Sequence, residues 1–117
     1  MKTFTIGKSF KFDAAHYIPD HPRCGQVHGH TWTVTIELSK KLGILPDTYM
    51  LLDFHELTAT VENLIEQLDH KNLNHVIDFP TCENLALWFH SRLSAWFPDF
   101  EVKVTVQEGT GGFASVS

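Results

Sequence analysis

The sequence predicts an α+β domain in which an antiparallel sheet carries two helices on one face. Three observations predict it. Apolar residues alternate with polar ones in two early runs, Phe10, Phe12, Ala14 and Trp32, Val34, Ile36, Leu38. Two middle segments repeat apolar residues at helical spacing, and a last alternating run follows at Val102, Val104 and Val106. The order is therefore ββααββ over a single domain, residues 1–117.

The first strand is expected from Thr3 to Ala15. The segment Tyr17 to Gln26 holds Pro19, Asp20, Pro22 and Gly25 and reads as a loop. A second strand follows from His30 to Ser39, with Thr31, Thr33, Thr35 and Glu37 opposite the apolar series, and Gly43 to Asp47 is a turn. Helix one begins near Asp53; Phe54, Leu57, Val61, Leu64, Ile65 and Leu68 form one stripe, a core face rather than a cofactor box. Asp69 to Phe79 reads as a loop. Thr81 is a good helix N-cap, with Glu83 in the first turn where the helix dipole favours an acid. Helix two carries Leu85, Trp88, Phe89, Leu93 and Trp96 and stops at Pro98; strands at Glu101–Gln107 and Phe113–Val116 close the chain. Open sheet edges make self-association an expectation.

Composition narrows the function. At 117 residues with 43% hydrophobic content the chain is long enough for one real core. A net charge of −5, with no Lys/Arg cluster interleaved with aromatics, argues against nucleic acid and against an anionic membrane. Lys8, Lys11, Arg23 and Lys71 read as solvated charges. The N-terminus has no basic segment ahead of an apolar run, and no stretch approaches the ~18 apolar residues of a membrane span, so the cytoplasm is the expected compartment. Two cysteines, Cys24 and Cys82, are too few for a disulfide scaffold. Cys82 opens a helix and reads as packing.

Chemistry concentrates in the histidines. His28 and His30 share the face that continues as Trp32 and Val34, and His16 ends the Phe10–Phe12–Ala14 series. Three imidazoles thus converge where an apolar face runs out, with Gly29 expected to let the backbone bend between two of them. Such a set suits a borderline metal such as Zn²⁺, and three ligands leave one tetrahedral position open. Cys24 has two readings: the fourth ligand of a closed Cys-His₃ site, or a free thiolate favoured by the nearby cation and able to act as a base. Asp69 beside His70 reads either as a carboxylate–imidazole proton relay or as a helix end with its dipole-matched histidine. Glu108 falls by parity on the buried face, so it either escapes to solvent or meets paired N–H donors such as a pterin or purine edge. His21, His55, His75 and His90 read as surface or cap residues.

Taken together, Phe12-Asp13-Ala14-Ala15-His16, Cys24-x₃-His28-Gly29-His30, Leu52-Asp53-Phe54, Leu68-Asp69-His70-x-x-Leu73-Asn74, Pro80-Thr81-x-Glu83-Asn84 and Glu108 resemble the 6-pyruvoyl-tetrahydropterin synthase / 6-carboxy-tetrahydropterin synthase family. The resemblance implies a tunnelling fold (T-fold) whose subunits assemble into a barrel, commonly a homohexamer of two stacked trimers with active sites between subunits. It implies Zn²⁺ on His16, His28 and His30, Cys24 as general base, Asp69 and His70 as a second proton-transfer pair, and Glu108 with Thr81 as contacts to the pterin. The implied substrate is 7,8-dihydroneopterin triphosphate. The short Cys-x₃-His-Gly-His interval is similar to the carboxy branch, which releases acetaldehyde and triphosphate in queuosine-type synthesis, whereas the pyruvoyl branch only eliminates triphosphate. Cys82, where the family's motif often has Thr or Ser, and the glycine-rich tail Glu108–Ser115, without the aromatic residue expected in the last strand, depart from the pattern. A non-catalytic zinc-stabilised pterin- or purine-binding module, or an enzyme on a different substrate, are the alternatives those departures keep in view.

Overall fold

The computed structural model describes residues 1–117. Its elements are β1 (Lys2–His16), β2 (His28–Leu42), α1 (Phe54–Ile65), a 3₁₀ turn at Leu73–His75, α2 (Cys82–Trp96), β3 (Glu101–Glu108) and β4 (Phe113–Val116). The sheet runs β1-β2-β3-β4, every neighbour antiparallel. The ββααββ expectation holds.

Even-numbered residues of β1, β2 and β3 bury the apolar face, as the period of two requires. Both helices pack on it, because Leu57, Val61, Ile65, Leu85, Phe89 and Leu93 join Phe12, Trp32, Val34, Ile36 and Val104 in one cluster. Phe12 lies 6.3 Å from Phe89 and 6.4 Å from Trp32, ring centre to ring centre. The opposite face is a hydroxyl ladder: Thr5 with Ser39 at 2.8 Å, Ser9 with Thr35 at 2.7 Å, Thr105 with Ser115 at 2.9 Å.

The early strands are longer than the pattern predicts. Their pairing carries on to His16↔His28 and Lys2↔Leu42. Gly29 accordingly sits in regular ladder opposite Ala15, and a Cβ there would meet nothing within 4 Å, so the backbone needs no bend at that point. A glycine is required instead at Gly109, whose φ of +55° turns β3 into β4 while its amide donates to the Thr31 carbonyl at 2.9 Å. Two stripe residues also differ. Phe54, first in α1, is half exposed, and Trp96, last in α2, is 66% exposed while Phe97 turns inward in its place. Leu68 lies past the end of α1 yet remains fully buried.

β2 pairs with β3 only from Trp32 to Ser39, so the His28–Thr31 end of the first hairpin overhangs the sheet. Trp32 closes the core beneath it, fully buried, with its indole N–H donating to the Ala14 carbonyl at 3.1 Å. Trp32→Phe keeps the ring and removes the donor, leaving a buried carbonyl unpaired. A loss of about 1–3 kcal/mol is expected, read as a lower urea midpoint at unchanged slope.

Candidate metal centre and active site

The three histidines meet at that overhang. His16 and His28 are direct cross-strand partners, and His30 faces Ala14 one step further along. Their ring centres lie 4.6, 5.2 and 4.8 Å apart, each pair close to edge-on. One donor atom from each ring lies within 4.8 Å of the others. For comparison, a tetrahedral shell with ~2.0–2.1 Å bonds to nitrogen spaces its donors roughly 3.4 Å apart.

Two backbone carbonyls orient the rings. The Nδ1–H of His16 donates to the Pro80 carbonyl at 2.8 Å, and that of His28 to the Gln26 carbonyl at 2.7 Å. A proton held on Nδ1 leaves Nε2 as a lone pair. The Nε2 atoms of His16 and His30 are buried with no hydrogen-bond partner. Two buried ring nitrogens without a hydrogen-bond partner, that of His16 held as a lone pair by its Nδ1 bond, are what a bound cation satisfies, so the residues fit a metal ion. Burial pushes the His16 pKa down, against the opposing pull of the Pro80 carbonyl and of Glu108, and favours the neutral, ligating form.

Glu108 is the carboxylate at this centre. It pairs with Trp32 in register and lies one-third exposed, with Oε1 3.2 Å from His30 Nε2 and Oε2 3.7 Å from His16 Nε2. Its carboxylate thus reaches solvent in part, with the two imidazoles as its neighbours. Thr81 caps α2, its Oγ1 accepting the Asn84 amide at 3.1 Å, while the Asn84 side chain donates to the Phe79 carbonyl at 2.8 Å. The Pro80-Thr81-x-Glu83-Asn84 motif thus clamps the turn that delivers Pro80 to His16. Cys82, next in line, is half-buried. Burial first, then the carboxylates of Glu108 and Glu83, push its thiol up to about 11.

Asp69 and His70 dock on the outer edge of β1. The Asp69 carboxylate accepts the Asp13 amide at 3.0 Å and the His70 Nδ1–H at 3.0 Å. The Asp13 amide, with His70 adding to it, holds that carboxyl below its usual range. His70 takes φ +58°, and its amide donates to the Asp13 carbonyl at 2.6 Å. Left-handed backbone at a histidine is uncommon and turns the chain here to run beside β1. Beyond it Ala15 donates to the Lys71 carbonyl at 3.0 Å, and the Asn74 side chain grips both the amide and the carbonyl of Tyr17 at 2.9 Å. The His70 ring is 79% exposed and lines, with His30, Asp13, Thr31 and Lys71, an open cleft of about 630 Å³.

Cys24 stands apart. It is a free thiol in the loop between β1 and β2, and it is not among the donors gathered at the histidine centre. The closed Cys-His₃ arrangement therefore lacks its sulfur in this structure. Sequence reasoning did not find the Pro80 and Gln26 carbonyls. The only available signal was the position of Pro80 just ahead of a helix cap.

Residues 5–117 match the family described as 6-pyruvoyl tetrahydropterin synthase. The chain belongs to that family. It is 42% identical over 89 residues to a putative 6-carboxy-5,6,7,8-tetrahydropterin synthase of Archaeoglobus fulgidus, covering 76% of this chain and 75% of the relative. It is also 36% identical over 87 residues to a dihydroneopterin monophosphate aldolase of Pyrococcus furiosus, covering 74% and 72%. In fold it is similar to the 6-pyruvoyl tetrahydropterin synthase of Caenorhabditis elegans, with a TM-score of 0.86 at 20% identity over 100% of this chain and 96% of that one. The T-fold is thereby established.

Two measurements bear on this centre. The purified protein is expected to bind one divalent ion per chain by elemental analysis, and His28→Ala or His30→Ala to weaken that binding ~100-fold or more; retention of tight binding by both would reject the trio as the ligand set. Alkylation with iodoacetamide at pH 8 is expected to spare Cys82, since only roughly one in a thousand such thiols is ionised there. A raised pKa moves ionisation to higher pH, so its labelling should climb about tenfold per pH unit towards 11, followed by mass spectrometry of the Cys82 peptide.

Proposed function

We propose that the chain is a zinc-dependent 6-carboxy-5,6,7,8-tetrahydropterin synthase that converts 7,8-dihydroneopterin triphosphate and water into the carboxypterin, acetaldehyde and triphosphate. The observation that carries the reading is the pair of buried, unpartnered Nε2 atoms on His16 and His30, beside a cleft that His30 and His70 both line. Relatives named 6-carboxy-5,6,7,8-tetrahydropterin synthase support the carboxy product, among them that of Synechocystis at 35% identity over 96 residues.

His16, His28 and His30 would hold the zinc. When bound it supplies Lewis acidity, polarising the side-chain hydroxyls of the dihydropterin and acidifying the adjoining C–H bonds. Cys24, as thiolate, takes a proton from side-chain carbon. His70 gives or relays one, with Asp69 holding the imidazole Nδ1–H so that Nε2 faces outward as the exchanging atom. The Glu108 carboxylate, one-third exposed beside the imidazoles, accepts paired N–H donors of the pterin edge. The Thr81 hydroxyl uses its oxygen in the helix cap and keeps its proton to donate. Family members form oligomers, and the free edges of β4 and of β1 ahead of Asp13 fit a ring of subunits, proposed here as a homohexamer in the cytoplasm.

A second reading is favoured by the aldolase relative: retro-aldol cleavage of a dihydroneopterin phosphate, the phosphate departing on a two-carbon aldehyde. Incubation with dihydroneopterin triphosphate separates the readings. Acetaldehyde and triphosphate in equal amounts are expected. Triphosphate alone points to the pyruvoyl product, a phosphorylated two-carbon aldehyde to the aldolase, and no turnover to a binding module. Cys24→Ala is expected to lose at least ~100-fold in kcat with zinc content unchanged. Full activity in that variant removes Cys24 from the mechanism.

A further inference from the structure

We propose that His21 is the positioning residue for Cys24, an inference that rests on the reading of Cys24 as the base. The segment Ile18–Gly25 has no strand or helix and no buried side chain. Its shape comes from polar contacts centred on one imidazole. The Nδ1 atom of His21 accepts the Arg23 amide at 3.1 Å and the Cys24 amide at 2.9 Å. Nδ1 therefore carries no proton, and the ring acts as a bare acceptor for two successive N–H groups.

Four further features close the loop around this acceptor. The Ile18 amide donates to the Cys24 carbonyl at 2.6 Å, and the His21 amide to the Ile18 carbonyl at 3.2 Å. Asp20 adopts φ +62°, the left-handed turn that brings His21 over the following residues. At Gly25 a Cβ would lie 2.7 Å from the His21 carbonyl oxygen, so only glycine lets the chain pass that close. Both backbone groups of Cys24 are thus tied within its own loop, its amide to the His21 ring and its carbonyl to Ile18.

The His21 ring is exposed, so core packing does not account for its placement. Water can replace it as partner to the two amides at little cost in stability. What water cannot do is hold one loop conformation. Without the acceptor, Cys24 spends only part of its time where it can reach a substrate carbon, and kcat falls by that fraction. Asparagine offers a close substitute, because its Oδ1 is bonded to Cγ as Nδ1 is in histidine and accepts amides in the same short turn.

The test compares His21→Ala, His21→Asn and Cys24→Ala, with dihydroneopterin triphosphate as substrate. For His21→Ala we expect kcat to drop about tenfold, KM to stay within about twofold, and zinc content and melting temperature to match the parent. Amide hydrogen exchange across residues 18–25 should rise. His21→Asn should restore both kcat and protection, which an unspecific loss of structure would not do. Parental kcat and exchange in His21→Ala, or an asparagine variant as impaired as the alanine one, overturns the assignment. Full turnover by Cys24→Ala instead overturns the reading on which it rests, and the exchange data then still decide whether His21 orders the loop.

Discussion

Two ring nitrogens sealed from water without a partner are the constraint on which the rest of this molecule turns. Burying a polar atom unpaired costs free energy, and a fold retains such a defect only where something else satisfies it. Here the surrounding structure is arranged to keep the defect in place. The Pro80 and Gln26 carbonyls hold the Nδ1 protons of two rings, and Trp32 packs edge-on against His16 and His30 at 4.9 and 5.4 Å. The unpartnered nitrogens of His16 and His30 consequently lie in one space away from the solvent.

The elements away from the centre serve its geometry. The helix cap at Thr81 matters because it shapes the turn that presents Pro80. The Leu73-Asn74 pair matters because Leu73 anchors in the core while Asn74 grips Tyr17, the residue after His16. The Asp69–His70 pair reaches its cleft through a left-handed residue stitched to Asp13. Each is a short polar connection made to a strand end, where the ladder stops and backbone groups would otherwise go unpaired. Their convergence explains why an open, four-stranded sheet can hold a site at its rim.

Much of this was readable from residue order. Strand parity alone put His16, His28, His30 and Glu108 on the core side, and helical spacing located both helices. What escaped reading has a common cause. The carbonyls that orient the rings belong to Pro80 and Gln26, and a backbone oxygen has no residue-type signature. His21 looked like a surface residue because it is one; its task lies in an acceptor atom, not in burial. Gly29 was read as a hinge from its identity, yet pairing with Ala15 keeps it extended. Trp96 matched the helical stripe, but α2 ends there, and Phe97 takes the inward position instead.

The hairpin that brings His16 opposite His28 also sets an order of events during synthesis. All three donors lie between positions 16 and 30, on two strands that pair directly. Hairpins close within microseconds, while a ribosome takes a sizeable fraction of a second or more to add the following ten residues. A nascent chain exposing only its first two strands already has the full set of imidazoles. The Pro80 carbonyl that orients the His16 ring arrives about forty residues after the second strand is complete.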